Sequence, residues 1–139
     1  MNHIQEMLRS HPRAGDVDGR LLEEMISALY NCAQSCTTCA DACLGEEMVA
    51  ELVRCIRLNL DCADVCETTG ALLSRQTEPD WSLISEQLRA CATACRVCGE
   101  ECERHADMHE HCRICAESCR HCEEMCQRML QAIPSGATA

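Results

Sequence analysis

Apolar positions recur along this chain with a period close to that of an α-helix, and polar punctuation divides them into one short and four long segments. Ile4, Met7 and Leu8 suit one or two amphipathic turns before Pro12, Gly15 and Gly19 interrupt the pattern. Residues 1–19 therefore read as a short helical lead-in that caps the domain or mediates its assembly. Over residues 20–44, Leu22, Met25, Ile26 and Leu29 stand at helical spacing, and Gly45 supplies a C-terminal stop. A second segment runs from residue 46 to about 73. Thr77-Glu78-Pro79-Asp80 then combines an N-cap threonine, a proline and an acid three residues on, predicting a third helix from there to about residue 105. Asp107 with Glu110 repeats the cap, and a fourth helix runs until Pro134, leaving a flexible tail at 134–139. Four helices with short connections predict an all-α, antiparallel up-down-up-down four-helix bundle over residues 20–133.

Composition complicates that pattern. Leu, Ile and Val number 13, 6 and 5 among 139 residues and Phe is absent, an aliphatic share of about 17%. With a net charge of −11, such a chain is suspected of disorder. What reverses the suspicion is 16 cysteines, a residue type that buries readily. Met1-Asn2-His3-Ile4-Gln5-Glu6 offers no secretory apolar region, so the expectation is a cytoplasmic protein with reduced thiols rather than a disulfide scaffold. An acidic chain with one Trp, one Tyr and no basic run is no nucleic-acid binder. No apolar run is long enough to cross a membrane.

The cysteines fall into register on the predicted helices. Cys32, Cys36, Cys39 and Cys43 form C-x3-C-x2-C-x3-C, and Cys91, Cys95, Cys98 and Cys102 repeat it. The fourth helix extends the series with Cys112, Cys115, Cys119, Cys122 and Cys126, and the second carries Cys55, Cys62 and Cys66. At about 100° per residue, the first set spans an arc of roughly 60° and the last roughly 80°. All of them therefore face inward and line the core. A thiol in place of Leu or Ile forfeits on the order of 1 kcal/mol of apolar burial per layer, so the bundle is expected to be underfilled without a ligand. A thiol redox enzyme needs one or two exposed thiols of low pKa rather than a buried column. Iron–sulfur ligation draws a few cysteines from loops around one cluster.

Soft-metal binding fits the stripe. Cysteines at i and i+4 bring two sulfurs onto one ion, and Cu(I) accepts two or three thiolates, whereas Zn(II) takes four. One Cu(I) per thiolate leaves the core neutral near 16 ions, but four tetrathiolate zinc sites would bury a net charge of about −8. Copper is preferred on that count, and loading must expel the thiol protons. A zinc- or cadmium-buffering, metallothionein-like protein is the alternative, with a thiol redox protein behind it. No Glu-x-x-His pair suggests a metal oxidase, and no catalytic residues are assigned.

Short connections also orient the bundle. Met25, Ile26, Leu29, Leu72, Leu73, Trp81, Ile84, Leu88, Met129, Leu130 and Ile133 gather at one end as an apolar plug. At the other, Met48 continues the face of the second helix and His105 that of the third, joined by Met108, His109 and His111. Copper is expected to come and go at this mouth. Asn59 occupies a core slot between Cys55 and Cys62, its carbonyl an occasional ligand. His121 points off the stripe, and His3 carries no distinctive signal.

On these inward C-x3-C columns the chain resembles the copper storage proteins, cysteine-rich four-helix bundles, over about residues 20–133. The resemblance implies the cytosolic branch of that family, a homotetramer, and storage or detoxification with many Cu(I) ions. It further implies thiolate pairs within single helices and a mouth matched by Met48, His105, His109 and His111. The second helix departs from a full column in having three cysteines and Asn59.

Overall fold

The computed structural model describes residues 2–13 and 15–134. Among them are five α-helices and no strand: α1 (His3–Arg9), α2 (Gly19–Leu44), α3 (Val53–Ser74), α4 (Trp81–His105) and α5 (Glu110–Ala132). Apart from Pro134, the tail expected at 134–139 lies outside the described residues. The four long helices pack in a ring, α2 against α3, α3 against α4, α4 against α5, and α5 back against α2. The two connections α2–α3 and α4–α5 meet at one end, where Glu46 reaches His109 and His111.

Local chemistry moves several helix ends from their expected places. Asp18 caps α2 by accepting from the Leu21 backbone N–H at 3.2 Å. The second helix begins at Val53 rather than at residue 46, because residues 49–52 form a single 3-10 turn. Glu46, at the expected start of that helix, is drawn across to two histidines. Thr77 caps nothing: Glu78 adopts a left-handed φ of 53°, and a right-handed helix cannot pass through it. Asp80 takes the role, accepting from the Leu83 N–H at 3.0 Å. Asp107 likewise lies in a turn, and α5 starts behind His109 without a side-chain cap.

The aliphatic plug is where expected and is buried. Met25, Leu29, Leu73, Leu88 and Met129 are wholly buried, with Ile26, Ile84 and Ile133 nearly so and Leu72, Trp81 and Leu130 at its margin. The lead-in closes over it. Asn2 and Gln5 cap α1 reciprocally, and Ile4 and Leu8 lie against the core. The Arg9 guanidinium forks onto the buried Glu23 of α2 with two 3.0 Å bonds. The Trp81 indole N–H donates to Asp16 at 3.2 Å, and Gln76 donates to the Leu73 carbonyl at 2.7 Å.

Helix spacing is close where α4 crosses α5. A Cβ on Gly99 would stand 3.3 Å from the Cys119 Cβ, so glycine lets the helices approach there. Arg120 of α5 spans the same crossing to Glu103 of α4 at 2.7 and 2.9 Å. The surface pair contributes little to stability by itself, whereas each buried aliphatic side chain of the plug contributes substantially. Leu88→Ala is therefore expected to cost the metal-free protein roughly 2–5 kcal/mol, as read by urea unfolding.

Candidate metal centre

Every one of the sixteen cysteines is a buried free thiol. Helical periodicity aims them inward, and packing of four helices brings their sulfurs together. Within single helices, Cys32 lies 3.8 Å from Cys36 and Cys62 lies 3.9 Å from Cys66. Most close approaches, however, run between helices. Cys36 of α2 is 3.7 Å from Cys115 and from Cys119 of α5, and 4.0 Å from Cys98 of α4. Cys66 of α3 is 3.8 Å from Cys95 and 3.9 Å from Cys91 of α4, and 4.0 Å from Cys122 of α5. Cys39 meets Cys112, and Cys55 meets Cys102, both at 3.9 Å.

These spacings already suit a soft ion. With bonds of about 2.3 Å, a trigonal site holds its sulfurs about 4.0 Å apart and a tetrahedral one about 3.8 Å. Cys32, Cys66, Cys95 and Cys122, one from each long helix, have their sulfurs within 4.8 Å of one another. So do Cys32, Cys36, Cys62 and Cys119, and Cys36, Cys98, Cys115 and Cys119. Cys32, Cys36 and Cys119 each belong to two such groups, so sulfurs can be shared between neighbouring ions.

Without a cation, the network does not ionise as a whole. Cys43 is pushed up to about 11, first by burial and then by Cys55. Deeper in, S–H bonds from Cys119 and Cys122 favour the thiolate of Cys32. Cys36 is pushed up chiefly by Cys115 and Cys119, and Cys95 by Cys122 and Cys32. Cys55, Cys62, Cys91 and Cys115 are lowered in the same way as Cys32, and charge on these five sulfurs holds the protons on the other eleven.

Asn59 sits wholly buried in this sulfur column. Its Nδ2 donates to the Cys55 carbonyl at 2.9 Å and approaches Cys55 Sγ at 3.3 Å. Its Oδ1 accepts from Cys98 and Cys115, each at 3.1 Å, and lies 3.7 Å from Cys102. The amide is satisfied by thiols and the Cys55 carbonyl, and it ties α3 to α4 and α5.

At the mouth the histidines take different positions. His111 Nδ1 faces the sulfurs, 3.4 Å from Cys39 and 3.6 Å from Cys112, and His111 groups with Cys39, Cys43 and Cys112. His109 stacks on it with ring centroids 5.4 Å apart. Together with Met48 and Met108, His109 lines an open cavity of about 550 Å³. Met48 precedes the 3-10 turn rather than extending α3, yet it stands at the expected end. His105 is bonded to the buried Glu101 at 3.0 Å, and Arg54 and Arg104 also approach that carboxylate. The histidine read as continuing the thiol column is thus held by a carboxylate, and His111 is the one found against sulfur. His121 is exposed, as is His3 at the start of α1.

Two carboxylates escaped the reading of the sequence. Glu101 stands one helical turn before His105, a spacing that could have signalled it. Glu46 lies 65 positions from His111 and carries no local signal. Its carboxyl is held below the usual range chiefly by the hydrogen bond from His111.

Relatives confirm the direction of this chemistry. A copper storage protein from Streptomyces lividans, solved with 10 copper equivalents loaded, is 51% identical over 94% of this chain and 99% of its own, with a TM-score of 0.91. A structure of a cytosolic copper storage protein from Streptomyces lividans with five coppers is 53% identical over 83% of this chain and 96% of its own, with a TM-score of 0.81. The Cu(I)-bound copper storage protein BsCsp3 is 34% identical over 79% of this chain and 98% of its own, with a TM-score of 0.71. Among curated proteins none matches. The copper storage protein family model spans residues 19–131, which is most of the chain and takes in all sixteen cysteines, and the chain belongs to that family.

Proposed function

We propose that this protein is a non-enzymatic cytosolic store that holds about one Cu(I) per cysteine inside an antiparallel up-down-up-down four-helix bundle. The unit is residues 20–133, with a lead-in at 1–19 and a tail at 134–139. The observation that carries the reading is the unbroken interior of sixteen buried thiols, whose sulfurs stand 3.7–4.0 Å apart across helices. Ligands are the sixteen cysteines, with Asn59 Oδ1 as an occasional oxygen donor, and Met48, His105, His109 and His111 at the mouth. Sharing of sulfurs between helices supports clusters rather than only pairs within one helix.

Charge selects the ion. Each Cu(I) replaces one proton and leaves the interior neutral, whereas tetrathiolate zinc would leave two uncompensated charges per site. Cytosolic residence is supported by the described cytosolic relative. Among the described residues no helix is long and apolar enough to cross a membrane. Assembly as a homotetramer is carried from the family resemblance, and sedimentation of the full chain reads it directly.

Anaerobic titration with Cu(I), followed by native mass spectrometry, is expected to saturate near 16 ions. About one proton should be released per ion. Affinity should then fall as pH falls, by roughly tenfold per unit for each proton displaced. Saturation at four ions or fewer, or equal retention of zinc in competition, overturns the assignment.

In the metal-free protein a thiol reagent is expected to react slowly at neutral pH. A thiol held at about 11, as Cys43 is, exposes on the order of one thiolate in ten thousand at pH 7. One rapidly alkylated cysteine would instead favour a redox role. Replacing His105, His109 and His111 together by aliphatic residues is expected to slow Cu(I) uptake and release while leaving capacity close to unchanged, as measured by stopped-flow transfer from a chelator.

A further inference from the structure

One carboxylate oxygen at the mouth serves two rings. Glu46 Oε2 lies 2.9 Å from Nδ1 of His109 and 2.8 Å from Nε2 of His111. A carboxylate oxygen only accepts, so its hydrogen bond with His111 fixes that ring's proton on Nε2, and its ion-pair contact favours the His109 proton on Nδ1. A neutral imidazole has one N–H, and the other nitrogen of each ring is left as a lone pair. For His111 that nitrogen is Nδ1, the atom 3.4 Å from Cys39 Sγ and 3.6 Å from Cys112 Sγ. For His109 it is Nε2, which is buried and has no hydrogen-bond partner, on a side chain only 9% exposed.

We propose that Glu46 is a positioning residue that locks His109 and His111 into opposite tautomers, presenting His109 Nε2 and His111 Nδ1 as a stacked pair of Cu(I) donors between the outer cavity and the thiols. The inference rests on the reading of this end as the mouth. Two rings in the same tautomer cannot do this. With the common Nε2–H form on both, His109 would offer no lone pair at its unpartnered nitrogen. With Nδ1–H on both, His111 would turn a proton toward Cys39 and Cys112. A ligand's other nitrogen bonded to a carboxylate is also made more basic and fixed in orientation. Met48 and Met108 line the cavity beside His109, so a soft thioether is at hand before the first imidazole.

The test begins without copper. Long-range proton–nitrogen correlation spectra of the full-length protein labelled at histidine, recorded at mildly alkaline pH where imidazoles are neutral, read each tautomer directly. The expected result is Nδ1–H for His109 and Nε2–H for His111. Glu46→Leu should return one or both rings to a mixture and slow Cu(I) uptake by roughly tenfold with capacity unchanged. Glu46→Gln, which keeps an acceptor oxygen, should retain the tautomers and restore most of the rate. Like tautomers in the unmodified protein, unchanged tautomers in Glu46→Leu, or changed tautomers with an unchanged rate each overturn the proposal. Unaltered uptake in the triple histidine variant overturns the mouth reading and the donor role of the pair with it, whereas slowed uptake there with like tautomers in the unmodified protein overturns only the role given to Glu46.

Discussion

The structure is organised around a shared interior in which sixteen buried thiols cannot all ionise until a cation arrives. Sulfur atoms 3.7–4.0 Å apart are in contact, so a thiolate on one is a like-charge neighbour to several. Burial and neighbouring sulfurs both oppose further ionisation, and only a monovalent soft cation removes the proton without leaving net charge behind. The length of the stripe, the inward register on all four long helices and the scarcity of aliphatic residues all follow from meeting that condition at many layers at once.

Stability and storage are consequently assigned to different parts of the chain. Met25, Leu29, Leu73, Leu88 and Met129 make a conventional core at one end, sealed by the lead-in through Arg9–Glu23 and Trp81–Asp16. The thiol region gains less from burial per layer, but it is held in shape by neighbours that are already secure. Asn59 contributes there in a different way. Its amide accepts from Cys98 and Cys115 and donates to the Cys55 carbonyl, crosslinking three helices where an aliphatic side chain would only fill space.

Much of this was legible because it depends on periodicity. Inward thiols, the plug and the two ends of the molecule are all consequences of 3.6 residues per turn and short connections. What was hidden depends on φ/ψ at single residues or on contacts far apart in sequence. Thr77 carries the right chemistry for a cap, but the left-handed Glu78 defers the helix to Asp80. Spacing within one helix suggested paired sulfurs, while the cross-helix groups depend on how the helices are rotated against one another. His105 has the register of a ligand, yet register says nothing of Glu101 competing for it. His111 reaches the sulfurs from the first turn of α5, and Glu46 reaches His111 from the α2–α3 connection, a meeting that no local pattern encodes.

With the histidine end as the proposed mouth, the plug also sets an order of traffic. A column closed by aliphatic side chains at one end and bordered by imidazoles at the other is a stack with a single opening. Ions nearest Cys39 and Cys112 stand between the deeper sulfurs and solvent, so those arriving last are the first exposed to a competing ligand. On that proposal deep ions would leave by passing from sulfur to sulfur, along thiols common to adjacent groups such as Cys36 and Cys119. Capacity and ease of withdrawal are therefore set by different residues: the first by how many sulfurs line the column, the second by how far each lies from the open end.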